Sequence, residues 1–378
     1  MNTPINIIRE EIEKSGVLPF ARFMELALYH PDGGYYEREQ TPGRRGDFYT
    51  SVSVGNLFGE LLAFQFAEWL EAEVRSQKSE VRIVEAGAHD GQLAKDILNW
   101  LQIHHAKLFE RIEYIFIEPS PRRQQWQRET VKDFQNVEWL SDFENLKLIN
   151  QNSKLNGIIF SNELLDAFPV HRFGWDAKGK KWFEWGVALD GDKFIWSRTD
   201  NFLAPSDGER VGVRGNLPSS IFHLPSSLLD ILPDGYTIET SPVAENWWRD
   251  AANVLETGRL VAIDYGLAAD ELFSPARADG TLRAYFQHRV SEDVLANVGE
   301  QDLTAHVNFS AIQKVGEDAG LITEFFGAQT KFLTEILRVA AKNNSFGEWN
   351  TKQTRQFQTL THPEHLGRAF RVLVQSKS

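Results

Sequence analysis

The chain has 378 residues, 42% hydrophobic and 25% charged, the balance of a globular protein with room for one large domain or two smaller ones. Its formal net charge of −13 argues against non-specific binding to nucleic acid, which needs a basic surface for phosphate contacts. The lack of cysteine removes disulfides, thiolate metal sites and cysteine nucleophiles together. The opening segment, MNTPINIIREEIEKSG, has no apolar signal core and is more acidic than a typical transit peptide. No apolar run is long enough to span a bilayer. We therefore expect a cytoplasmic chain with no nucleic-acid or membrane partner.

Residues 5 to 28 read as helical with a break at Gly16 to Pro19, because Phe20, Phe23, Met24 and Ala27 recur at helical spacing. HPDGGYY is a turn, and TPGRRGDFYTS an irregular loop. Residues 56 to 75 form an amphipathic helix. From about residue 80 strands and helices alternate. VRIVEAG is a buried strand, and DGQLAKDILNWLQ a helix with Asp90 placed to cap it. EYIFIEP is a second strand, followed by the helix SPRRQQWQRETV. NVEWL and GIIFSNE are the third and fourth strands. Over 171 to 240 the pattern breaks into an insertion, with a β-hairpin KKWFEWGVALDGDKFIWSRT turning at Asp-Gly. Alternation resumes with a helix over 241 to 257 and the strand GRLVAIDYG. A second irregular stretch covers 267 to 307. Asn308 then caps a helix that stops at a glycine, and ITEFFGAQ and FRVLVQSK are the last two strands.

Such alternation predicts a doubly wound α/β sheet of about seven strands. Ligands of these sheets sit at the carboxyl ends of the strands, which here carry Glu85 and Gly87, Glu118, Asn162, Glu163 and Asp166, then Asp264 and Tyr265. Gly87 and Gly91 flank a strand-to-helix turn that either admits a ligand to the backbone or is only tight. Glu118 either accepts both hydroxyls of a ribose or caps the helix opening at Ser120. A nicotinamide enzyme would carry Gly-x-Gly-x-x-Gly, but His89 stands between the glycines. Glu85 and Asp90 are poor neighbours for a pyrophosphate. They suit S-adenosylmethionine, which carries a sulfonium and an ammonium and no phosphate. Glu163 and Asp166, three apart where a helix can begin, would lie on one side and could hold a guanidinium bidentately. The alternative is a helix start decorated with acids for its dipole.

These residues resemble a known family. GVLPFARFMELALYHPDGGYY, GDFYTS with FGE, VEAGAHDG, IEPS, SNELLDAFPV, AIDYG, and GTLRAYFQHRV with GEQDLTAHVNFSA are similar to blocks of the MidA-like family of S-adenosylmethionine-dependent methyltransferases. That family includes the mitochondrial arginine methyltransferase that assists assembly of respiratory complex I. The resemblance runs from about residue 10 to the C-terminal strand. It implies a class I, Rossmann-like sheet of seven strands, mostly parallel with the last reversed, plus an N-terminal helical region and an inserted hairpin or cap. The corresponding domains are 1–78, helical with the GDF loop, and 79–378, the methyltransferase domain with its two insertions.

The candidate cofactor residues are then Gly46, Asp47, Glu85, Gly87, His89, Gly91, Glu118, Pro119 and Asn162. The candidate catalytic residues are Glu163, Asp166 and His306, with Asp302 beside them; no metal is implied. Two departures stand out. The family usually reads Gly-Pro-Gly where this chain has Gly87-Ala88-His89, and often Pro-Glu-Ile where it has Val52-Ser53-Val54. The expected activity is methyl transfer to a protein side chain such as arginine. A small-molecule O- or N-methyltransferase and a non-catalytic cofactor-binding assembly factor remain alternatives. A homodimer is open too, because Trp69 and the aromatic hairpin could serve an interface or a core.

Overall fold

A computed structural model describes residues 3–38, 50–74, 81–149, 155–203, 231–287 and 289–378. They form two compact units, one of residues 1–41, 166–246 and 267–312, the other of 42–165, 247–266 and 313–378.

The second unit is built on a sheet whose strands we number β1 (Val81–Ala86), β2 (Ile112–Ile117), β3 (Val137–Leu140), β4 (Leu155–Asn162), β5 (Leu255–Leu267), β6 (Ile322–Ala328) and β7 (Phe370–Lys377). Its path runs β6-β7-β5-β4-β1-β2-β3. β1 to β5 pair in parallel, and β7 alone runs antiparallel to both its neighbours. This is the expected mostly parallel sheet with its last strand reversed. β1, β2 and β4 are buried along almost their whole length, which is why they read as continuous apolar runs rather than alternating ones.

The helix expected at 56 to 75 spans Leu57–Val74. Leu57, Phe58, Leu61, Leu62, Phe64, Phe66, Ala67 and Leu70 are all buried in the sheet's core with Ile83, Phe116, Phe160 and Val372. So wide a set covers more than the single stripe of an amphipathic helix, because Gln92–His104, Gln329–Lys342 and Thr351–Thr361 also pack against it. Among the described residues no helix is long and apolar enough to cross a membrane.

The first unit gathers the N-terminal helices and both insertions. Pro4–Ser15 starts on a proline and stops at Gly16 (φ +78°); Phe20–Tyr29 follows. Leu18–Pro19, Lys181–Asp190, His171–Asp176 and Thr237–Thr240 pair antiparallel in that order, and Lys193–Leu203 also pairs with Lys181–Asp190. Asp190 pairs with Lys193, so the two-residue hairpin loop is Gly191–Asp192, one residue beyond the expected Asp-Gly. The stretch 267 to 307, expected to be irregular, contains a small antiparallel sheet of Arg289–Ser291, Arg283–Phe286 and Asp302–Thr304. Strands of three or four residues are too short to show a period. The unit's core joins Ile8, Phe20, Phe23 and Met24 to Val187, Ala284 and Leu303.

Candidate functional site

In the sheet unit, the carboxyl ends of β1, β2 and β4 carry most of the expected cofactor residues. Glu85 is buried under the loop after β1, and its Oε2 accepts a 2.6 Å hydrogen bond from the Tyr114 hydroxyl. Burial pushes its carboxyl up to about 8, the charge of Asp90 adds to this, and the Tyr114 bond opposes it. At neutral pH Glu85 therefore mostly keeps its proton, and Asp90 supplies the negative charge of this loop. Burial raises Asp90 too, but the His89 imidazole, 3.8 Å away, and the Gln92 N–H outweigh that and leave it lowered. Asp90 was expected to cap the following helix. The cap position is Gly91, and the Asp90 carboxylate instead reaches forward to the Gln92 N–H at 3.1 Å.

Three residues of the loop are left-handed: Gly87 (φ +75°), His89 (φ +46°) and Gly91 (φ +84°). A Cβ on Gly87 would lie 2.9 Å from Leu164 Cδ1, and one on Gly91 3.3 Å from Gln127 Cα. The positive φ favours glycine at both positions, and each has a close neighbour inside the protein. His89 holds a conformation unusual for a side-chain-bearing residue. Its carbonyl accepts from Gln127 Nε2 at 3.1 Å, and its half-buried ring lies 6.2 Å from that of Trp126.

Glu118 closes β2 and is buried. Its Oε1 accepts from the Ser120 N–H at 2.8 Å and from two nitrogens of Arg123 at 2.9 and 2.8 Å. Its Oε2 accepts from Gln127 Nε2 at 3.2 Å. A carboxylate has about four acceptor positions. Three donors crowd Oε1 and one reaches Oε2, so one acceptor position remains on Oε2 for a hydroxyl of a ribose diol. Pro119 is exposed at the turn into Pro121–Thr130.

Beyond β4 the chain turns sharply. The Glu163 N–H still donates to Ile263 O, at 2.9 Å, but Glu163 itself is left-handed (φ +54°). The buried Asp264 carboxylate fixes the turn by accepting from the N–H groups of Leu164 and Leu165 at 3.1 and 2.8 Å. Glu163 Oε1 accepts from Ser51 N–H at 3.3 Å and from Asn162 Nδ2 at 3.2 Å. Asn162 Oδ1 is buried and without a protein partner among the described residues. A single 3-10 turn, Leu165–Ala167, follows. Glu163 and Asp166 therefore do not share a helix face. The left-handed residue breaks the helix before it starts, and the two acids fall in different compact units.

In the first unit the structure brings Asp166 and Asp302 to the same two tyrosines, Tyr36 and Tyr285, and the residue before His306 to the Asp166 backbone. The Ala305 N–H donates to Asp166 O at 2.9 Å, and the Tyr36 hydroxyl donates to Asp302 Oδ1 at 2.8 Å. Both carboxylates are buried. Burial, then Asp302 and other neighbours including Asp166, holds the Tyr36 hydroxyl well above its usual range. Burial also raises Tyr285, which sits opposite Asp302 in the small sheet and feels both acids, against the opposing charge of Arg283. The His306 N–H donates to Thr281 Oγ1. Glu300 is elsewhere, paired with Arg38 at 3.4 Å.

Gly46 and Asp47 lie outside the described residues. The end of their block is described: Ser51 is buried, holds Gln329 Oε1 at 3.2 Å, and brings the segment to Glu163. Val52–Val54 form a 3-10 turn on the sheet's core. Trp69, an open case between interface and core, packs on that core, with the Arg259 guanidinium 5.0 Å over its ring. Sequence reasoning missed Tyr114, Arg123, Gln127 and Trp139. Arg123 alone had a signal, as a basic residue five positions beyond a strand-end acid.

These groups fit S-adenosylmethionine: an acid with a spare acceptor for a ribose, a buried amide oxygen without a protein partner, and an anionic loop.

A family model described as "Putative S-adenosyl-L-methionine-dependent methyltransferase" matches residues 61–327. The chain is 27% identical over 342 residues to the mitochondrial protein arginine methyltransferase NDUFAF7 homolog of Drosophila melanogaster, covering 83% of this chain and 70% of that one. It is 25% identical over 391 residues to mitochondrial protein arginine methyltransferase NDUFAF7 of Mus musculus, covering 95% and 81%. A crystal structure of a COG1565 superfamily member from Burkholderia thailandensis, bound to S-adenosyl-homocysteine, superposes with a TM-score of 0.80 at 28% identity, over 99% of this chain and 92% of that one. The named relatives are mitochondrial, which corrects the expected cytoplasmic location. Acidity and the lack of cysteine bear on solubility and redox chemistry and carry no address. The family model spans well over half of the sequence, and the chain belongs to this family of S-adenosyl-L-methionine-dependent methyltransferases.

Proposed function

We propose that the chain methylates arginine side chains of protein substrates. Bound S-adenosylmethionine supplies an electrophilic methyl group on a sulfonium. Glu118 Oε2 and Asn162 Oδ1 are the groups that would hold the cofactor, and Asp90 gives the loop its negative charge. Glu163 orients the acceptor nitrogen: its carboxylate is fixed by Ser51 and Asn162 and can take hydrogen bonds from a guanidinium. A guanidinium stays protonated at neutral pH, so a positioned carboxylate both aligns it and stabilises its charge; as the methyl leaves the sulfonium, which becomes a neutral thioether, the methylated nitrogen gives up one proton to the carboxylate or to water.

The observation that carries this reading is Glu163 itself. A non-glycine residue in the left-handed region costs on the order of 1 kcal/mol or more, and such strain persists where the surroundings over-determine it. Here Asp264 and Ser51 do so. The names of the relatives support arginine as the acceptor. In the first unit, Asp166 and Asp302 beside Tyr36 and Tyr285 offer a second group of carboxylates and rings suited to a guanidinium.

The test is labelled methyl transfer from S-adenosylmethionine into a host lysate, with identification of the acceptor. Glu163→Gln should bind S-adenosylhomocysteine within about threefold of native and lose about 100-fold or more in transfer. Unchanged transfer would remove Glu163 from the chemistry. Label arriving on a small molecule would overturn the arginine reading and leave methyl transfer standing.

A further inference from the structure

Gln127 is fully buried in the helix Pro121–Thr130, and each polar atom of its amide is used. Its Oε1 accepts from Trp139 Nε1 at 3.0 Å, and its Nε2 donates to His89 O at 3.1 Å and to Glu118 Oε2 at 3.2 Å. An indole nitrogen can only donate, so it must face the amide oxygen. That fixes which way the amide points. The two hydrogens of Nε2 then face two acceptors, one on the loop after β1 and one on the acid that ends β2. The backbone of Gln127 is also what a Cβ on Gly91 would meet.

We infer that Gln127 is a positioning residue for the cofactor, locking the His89 loop and the Glu118 carboxylate into one arrangement keyed to β3 through Trp139. This rests on the reading of Glu118 as the ribose-binding acid. By donating to Oε2, Gln127 fixes the orientation of the one carboxylate oxygen with capacity left for the diol. By donating to the His89 carbonyl, it holds a residue that is left-handed although it bears a side chain. Arg123 holds the other oxygen and cannot replace this function.

Calorimetry on the full chain tests this with two ligands, S-adenosylhomocysteine and its analogue lacking the ribose 2′- and 3′-hydroxyls. Native protein should prefer the diol by about 100-fold, and Gln127→Met should cut that preference to about tenfold. In the methyl-transfer assay KM for the cofactor should rise more than kcat falls. Trp139→Phe keeps the ring stacked on Phe116 and frees the amide, and should shift the preference the same way by less, which secures the test if Gln127→Met folds poorly. A purely structural role would weaken both ligands equally and overturn the inference. Glu118→Gln separates the two levels. If it leaves the diol preference intact, the ribose reading fails and the inference with it. If Glu118→Gln abolishes the preference and Gln127→Met leaves it at the native value, the inference alone fails.

Discussion

Glu85 is a carboxyl held near pH 8 by burial, against an ordinary value of 4.5. Below about 4.5 the folded and unfolded chains both carry its proton. Between 4.5 and 8 the folded chain keeps a proton that the unfolded chain has released, so stability falls as pH rises through that window. Asp96, raised to about 6 by burial first and by the charge of Glu60, adds a loss of the same sign at lower pH. Other groups are shifted as well, among them His104, lowered by burial, and Glu239, raised by burial, so Glu85 is separated by comparing a variant with the native chain between pH 6 and 8. Glu85→Gln keeps an acceptor for Tyr114 and has no proton to release, so its melting temperature should fall less between pH 6 and 8 than that of the native chain. Equal slopes in melts across that range would contradict a protonated Glu85. At the same scale, Asp264 shows how one buried side chain can shape the backbone: two N–H groups converge on one of its carboxyl oxygens and the chain turns at Glu163.

Among the elements, β4 and β5 each carry a glycine against a neighbouring strand's backbone. A Cβ on Gly157 (φ +144°) would collide with the carbonyl oxygen of Arg82 in β1, and one on Gly258 (φ +126°) with that of Gly157. Gly157→Ala should cost roughly 3 kcal/mol or more, because backbone and not a flexible side chain would have to move. Gly191→Ala is the control: it too is left-handed (φ +57°) but meets nothing within 4 Å, and should cost about 1 kcal/mol. Urea denaturation of both compares collision with strain. The strands and helices of the sheet unit were legible because their periods are local, and so were the acids and glycines at the strand ends. The partners that organise those residues were not. Gln127 reads as one more polar residue in PRRQQWQRET, and its meaning depends on residues 89, 118 and 139, which no local pattern joins. Asp166 was misplaced for a related reason. Helical spacing assumes a helix, and a left-handed Glu163 denies it one.

At the scale of the whole molecule, the sheet unit and the first unit have separate hydrophobic cores, the latter made from the N-terminal helices and both insertions. The sheet ends at β6, whose outer edge has no partner strand among the described residues. Ile322 on that strand is 65% exposed. Two residues along stands Glu324, paired with Arg259 at 3.0 Å. An open strand edge with an exposed isoleucine is a template for another chain, and a charge on it is a common deterrent. Glu324→Val should leave cofactor affinity near native and raise light scattering on concentration or mild heating, whereas a variant as soluble as the native chain would show that the edge is protected in another way. Selection at this position would then act on colloidal behaviour, through an acid placed on an open strand edge.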